Sequence, residues 1–144
     1  MKIKAVFSKI VYWLKTSEMF ARPSKQLPGQ WNLFEYYTEP EKELIHKQEE
    51  QLKEEQLFLR IEFSENADFS YETNLPINFI ADEGNFTWSI AKNFITLIHP
   101  DDFRKNQEFQ FAIEKGALKI LKKDSFGKII LFGFFRKTTG KKNN

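Results

Sequence analysis

Hydrophobic and polar residues alternate with a period of two residues along most of the chain from residue 57 onward. In LFLRIEF, residues 57–63, Leu59 and Ile61 fall on one face while Arg60 and Glu62 fall on the other. The same alternation returns in ADFSYET, NFTWSI and NQEFQFAIE, and the turn-forming sequences SENA, DEGN, EKG and DSFG separate the runs. This alternation is typical of β-strands that bury one face.

Shorter apolar runs bring the number of predicted strands to eight. They cover residues 92–98, 117–122 and 128–136, and the aromatic-rich GQWNLFEYY at 29–37 supplies the first strand. Their short spacing predicts an antiparallel meander, which can form a sandwich or a barrel. Residues 128–136 are apolar on both faces, so this strand needs one cover inside a barrel and another outside it. We therefore predict an all-β fold, an eight-stranded antiparallel up-and-down β-barrel whose first and last strands meet.

The N-terminal region follows a helical pattern instead. Ile3, Phe7, Ile10 and Leu14 recur at spacings of three and four, which predicts an amphipathic helix. We expect this helix to cover the outer face of the last strand. The predicted organisation is a helix and linker at 1–26, the barrel at 27–137, and a basic polar tail at 138–144.

Charge is distributed unevenly along the chain. Residues 1–28 carry six lysines and arginines against one glutamate, whereas residues 39–56 carry seven glutamates against three lysines. The acidic segment is interpreted as an exposed helix or a mobile loop. The basic helix has a second interpretation, in which residues 1–15 contact an anionic membrane surface. The barrel portion has no basic stripe among its aromatic residues, so nucleic-acid binding is not expected.

The sequence lacks the residues and motifs that several kinds of chemistry require. There is no cysteine, which excludes disulfides, thiol catalysis and thiolate metal sites. His46 and His99 have no metal-site spacing, and HPDD after a strand is interpreted as a polar turn, with cation binding at His99 as the weaker alternative. No nucleophile motif or phosphate loop is present, so we predict a non-enzymatic protein without a cofactor. The basic opening lacks a signal-peptide cleavage site, so we expect a cytoplasmic protein.

Three residues carry a family resemblance. Gly29 and Trp31 open the first strand in a G-x-W pattern, and Arg136 closes the last strand after a meander of eight. In this order they resemble the lipocalin-like (calycin) barrels, in particular the small bacterial lipocalin-like domains. The resemblance implies that Gly29, Trp31 and Arg136 form the closed end of the barrel, with the guanidinium lying across the indole ring.

The resemblance also implies a binding function. We expect a small hydrophobic or amphipathic ligand inside the barrel, lined by aromatic residues at alternating positions: Phe69, Tyr71, Phe86, Trp88, Phe109 and Phe111. An eight-stranded barrel is barely wide enough for its own side chains or one small ligand. The alternative is a filled barrel that acts as a structural or protein-interaction domain. The sequence leaves the oligomeric state open.

Overall fold

The computed structural model describes residues 23–80 and 84–138. The predicted N-terminal amphipathic helix and its membrane contact fall on residues outside this described part, as does most of the predicted tail. No helix within the described ranges is long and apolar enough to cross a membrane.

The described residues form mainly β-strands, with two short helices and one 3₁₀ turn at Phe103–Lys105. The elements in chain order are α1 (Pro23–Gln26), β1 (Gly29–Thr38), β2 (Ile45–Lys47), α2 (Glu49–Glu54), β3 (Leu59–Phe63), β4 (Phe69–Thr73), β5 (Thr87–Ala91), β6 (Phe94–Ile98), β7 (Gln107–Glu114), β8 (Ala117–Lys123) and β9 (Ile129–Lys137). The predicted runs of alternating residues therefore form strands.

Eight of the strands form a nearly closed antiparallel barrel. Their order around the barrel is β4-β3-β1-β9-β8-β7-β6-β5, and β1 and β9 are neighbours, as predicted. The edges β4 and β5 meet through a bridge between Asp68 and Thr87. Two backbone bonds flank it, from Phe69 N–H to the Phe86 carbonyl at 3.0 Å and from Trp88 N–H to the Ala67 carbonyl at 2.9 Å. The predicted fold class is confirmed.

The acidic segment contains both a strand and a helix. The short strand β2 pairs with the last residues of β1, beside the stretch of β1 that pairs with β3. The helix α2 follows, and the backbone N–H of Gln48 donates to the side-chain oxygen of Gln51 at 2.8 Å, which closes its first turn. Leu52 is the buried residue of this helix and belongs to the barrel core.

Strand β9 is buried on both faces, as its composition predicts. Leu131 and Phe135 belong to the main core inside the barrel. Phe132 points the opposite way and joins a second, smaller apolar cluster with Ala112 and Leu121. The outer faces of β7, β8 and β9 therefore share an apolar surface, while the interior forms the main core.

Candidate ligand site at the open end of the barrel

One end of the barrel is closed by the residues just before and just inside β1. Leu27 is fully buried there, and the indole N–H of Trp31 donates to its carbonyl oxygen at 2.8 Å. The ammonium group of Lys137 lies 5.2 Å from the centroid of the Trp31 ring and donates to the Gln26 carbonyl at 2.8 Å. The structure thus places Gly29 and Trp31 at the closed end.

The expected position of Arg136 across Trp31 is wrong. Strand register pairs Trp31 with Lys137, and Asn32 with Arg136. Because side chains alternate across a strand, Arg136 points outside the barrel. Its guanidinium lies 3.9 Å from the centroid of the Phe34 ring and forms an ion pair with Glu49 at 2.8 Å. The cation over the indole is therefore supplied by the next residue along the strand.

At the opposite end, the last residues of β1 meet the first residues of β9. The Thr38 hydroxyl donates to the Ile130 carbonyl at 2.7 Å. The backbone N–H of Glu39 donates to the Ile129 carbonyl at 2.8 Å, and the Ile129 N–H donates to the Glu39 carboxylate at 3.1 Å. These bonds hold the two strands together at the rim of the barrel end opposite Trp31, which we call the open end.

A cleft of about 460 Å³ lies beside this junction. Its walls come from the end of β1, strand β2, residues 76–78, the β8–β9 turn and the start of β9. The apolar lining residues are Pro40, Ile45, Pro76, Ile77, Ile129 and Ile130. The cleft therefore offers an apolar surface built from segments that are far apart in the sequence.

Polar groups at the cleft are mostly held by their own neighbours. Lys47 pairs with Glu55 at 2.8 Å, and this hydrogen bond raises the pKa of the lysine. The Asp124 carboxylate accepts the backbone N–H groups of Phe126 and Lys128 at 2.8 and 2.9 Å. Burial raises the pKa of the Tyr36 hydroxyl above its ordinary value. Lys47 and Asp124 are therefore already bound by groups of the protein itself.

The segment 75–80 covers the mouth of the barrel next to the cleft. Leu75, Phe79 and Ile80 are buried in the main core. The Phe79 ring stacks on Phe109 with 5.0 Å between the centroids and 20° between the planes. The ammonium group of Lys122 donates to the Phe79 carbonyl at 2.5 Å. This segment therefore fills the space above Phe109 with its own side chains.

The six aromatic residues predicted to line a ligand all belong to the interior. Phe69, Phe86, Phe109 and Phe111 are buried core residues, and Tyr71 and Trp88 are half-buried against them. They pack on protein: the Trp88 indole N–H donates to the Ser64 carbonyl at 2.9 Å, and its ring contacts Phe63 edge-on. None of the six lines the cleft at the open end. Their role in ligand binding stays a prediction.

Among the cleft residues, the sequence indicates only those of the apolar run LPINFIA, residues 75–81, because an apolar segment between two strands tends to fold over the end of a sheet. Sequence reasoning missed the others. The neighbouring cleft residues Ile45 and Ile129 gave no comparable signal, since nothing local indicates that β2 and β9 meet the same cleft.

The histidines serve the local structure. The His99 ring accepts the backbone N–H groups of Asp101 and Asp102, each at 3.1 Å, which makes HPDD an ordered polar turn. His46 contacts Glu35 at 2.6 Å and stacks on Tyr37 with 4.0 Å between ring centroids. The described part of the chain contains no group of three or more histidine, aspartate or glutamate side chains placed to hold a metal ion.

Comparison with known proteins identifies the family. The sequence model of the lipocalin-like domain matches residues 27–120, more than half of the chain, from the closed end through most of β8. The chain therefore belongs to the lipocalin-like domain family, whose members are generally binding proteins. Searches of curated proteins and of solved structures returned no match.

Proposed function

We propose that this protein is a non-enzymatic binding module that takes up a small hydrophobic or amphipathic molecule in the cleft at the open end. The observation that carries the proposal is the cleft itself, about 460 Å³ in volume and walled by isoleucine and proline side chains. Ligand pockets commonly have volumes of 300 to about 1,000 Å³ and a mainly apolar lining with a few polar groups. The family supports a binding role in general terms.

Ile45 offers a direct test, because it lines the cleft and yet is 37% exposed, so its replacement leaves the core intact. We expect Ile45→Gln to weaken the binding of a fluorescent apolar probe such as anilinonaphthalene sulfonate by about tenfold, through lost apolar contact. Titration of the purified full chain by fluorescence gives the dissociation constant. Ile98→Gln is the matched control, since Ile98 has the same 37% exposure and does not line the cleft.

If Ile45→Gln and the unaltered protein bind the probe with equal affinity, the probe binds elsewhere, and the proposal that the cleft is the ligand site is wrong. Native mass spectrometry of the freshly purified protein adds the identity of any molecule that is retained. A small molecule at a ratio near one to one would name the ligand class.

The second candidate function is a filled barrel that acts as a structural or protein-interaction domain. The observation that favours it is the packing of the interior, where Phe79 stacks on Phe109 and four of the six predicted lining residues are buried in the core. A mass without ligand, together with no uptake of apolar probes, would support this function over the first.

A further inference from the structure

Two phenylalanine side chains project from the open end into solvent. Phe103 is 79% exposed and Phe126 is 89% exposed, far more than any other large apolar side chain in the described residues. Exposed apolar residues that occur singly are ordinary, but the other large apolar side chains on the described surface are at most 42% exposed. We name this pair the aromatic rim.

The topology brings the two rings to neighbouring positions. Phe103 lies in the connection between β6 and β7, and Phe126 lies in the turn between β8 and β9. Both connections are at the open end, because the β7–β8 turn lies at the closed end. Two strand spacings separate them, which amounts to about 10 Å along the rim. The β8–β9 turn also contributes Asp124 and Lys128 to the cleft, so the rim borders the proposed ligand site.

Ordered turns hold the rings outward. The Asp102 carboxylate accepts the backbone N–H of Arg104 at 3.0 Å and caps the 3₁₀ turn that carries Phe103. On the other side, Asp124 accepts the N–H of Phe126 itself at 2.8 Å, and its carbonyl accepts the N–H of Gly127 at 3.0 Å. The carboxylates of Asp102 and Asp124 are therefore engaged with backbone groups of the turns, and the rings are displayed by defined conformations.

Cationic side chains accompany both rings. Arg104 and Lys105 follow Phe103 and are exposed, although Arg104 pairs with Asp102 at 3.0 Å and the exposed Asp101 lies nearby. Lys128 follows Phe126 by two residues and shares a pocket wall with Glu41 and Glu43. Aromatic rings at the tips of turns with cations beside them match a membrane interface, where rings enter the headgroup region and cations meet anionic lipids. A protein partner would instead require a contiguous apolar core, which two rings on connections two strand spacings apart do not form.

We propose that the open end docks onto an anionic lipid surface, with Phe103 and Phe126 inserted at the headgroup level and Lys105 and Lys128 against the lipid charges. Docking in this orientation places the cleft at the membrane, where amphipathic molecules concentrate. A ligand in the cleft would then exchange directly with the bilayer, and this consequence alone rests on the proposed function.

The test is flotation of the full chain with vesicles of phosphatidylcholine alone and of phosphatidylcholine with phosphatidylglycerol. We expect binding to the anionic vesicles, and a loss of about tenfold in the partition coefficient for each ring removed in Phe103→Ala and Phe126→Ala. Both side chains are exposed, so the variants are expected to keep the fold, which circular dichroism verifies.

A matched pair of charge variants tests the orientation. Lys105→Gln with Lys128→Gln removes two cations from the open end, and Lys92→Gln with Lys115→Gln removes two exposed lysines from turns at the closed end. We expect the first pair to weaken binding to anionic vesicles severalfold and the second to leave it nearly unchanged.

Equal losses in the two pairs, binding that survives removal of both rings, or no binding of the unaltered protein would each overturn the proposal. If binding survives without the rings, another surface makes the membrane contact. If the aromatic rim captures a protein and the chain does not bind vesicles, the rings contact a protein partner instead. Probe uptake without vesicles separates this result from the proposed function, since the ring variants should bind the probe normally.

Discussion

Gly29 begins the first strand with a backbone conformation that other residues rarely adopt. Its φ angle is +135°, and a Cβ atom built there would lie 2.7 Å from Cε of Lys137. Lys137 is the residue whose ammonium group lies near the Trp31 ring. The glycine in the G-x-W pattern therefore leaves room for the end of β9 to cross the closed end of the barrel.

We predict that Gly29→Ala lowers the free energy of unfolding by about 1–2 kcal/mol, because the alanine must accept a strained φ angle and displace the Lys137 side chain. Urea denaturation followed by tryptophan fluorescence measures the change. Gln30→Ala is the neighbouring control and should change stability by less than about 0.5 kcal/mol. An alanine variant as stable as the original protein would show that the closed end adapts to a side chain at this position.

At the scale of elements, α2 depends on the barrel for its stability. A helix of six residues is too short to be stable alone in water. Leu52 anchors it in the core, and its carbonyl accepts the backbone N–H of Leu57 at 2.9 Å. Glu49 at its start pairs with Arg136 on β9. The acidic segment is thus attached to the barrel at several points, and its strand β2 supplies Ile45 to the cleft.

We predict that Leu52→Ala lowers the free energy of unfolding by about 2–4 kcal/mol, the usual cost of removing a buried leucine side chain. Equilibrium urea unfolding provides the value, and Lys53→Ala, an exposed position on the same helix, should have little effect. A small loss for Leu52→Ala would mean that α2 packs loosely on the barrel and that the cleft wall moves independently of the core.

At the scale of the whole molecule, the barrel is closed unequally around its circumference. Strands β1 and β9 pair over six registered positions, whereas β4 and β5 meet at a single bridge flanked by two backbone hydrogen bonds. The chain termini of the barrel therefore form a strong junction, and the β4–β5 junction is the weakest connection between neighbouring strands.

We predict that amide hydrogens at the β4–β5 junction exchange first, because few hydrogen bonds must open there. In hydrogen exchange followed by mass spectrometry, peptides covering 64–73 and 84–91 should lose protection at least about tenfold faster than those covering 117–123 and 129–137. Uniform protection across these peptides would indicate that the barrel opens only by global unfolding.

Much of the fold was determined by the sequence itself. Alternation of apolar and polar residues is a local property that reports directly which face of a strand is buried, so the strands of the meander could be predicted from it. The two-sided burial of β9 was predicted from the opposite signal, because both of its faces are apolar. The meeting of β1 and β9 was predicted from the closed barrel that the family resemblance implies, because no local pattern shows which strands become neighbours. The interior position of Phe109 and Phe111 followed from the same alternation.

Tertiary structure alone decided which residues meet across the barrel. A shift of one residue in register exchanges the inner and outer faces, so local sequence could not tell that Lys137 and not Arg136 would lie over Trp31. The cleft depends on Ile45, Ile77 and Ile129, which come together only when the barrel closes. Contacts between distant segments depend on strand register and barrel closure, and no local pattern of residues encodes these.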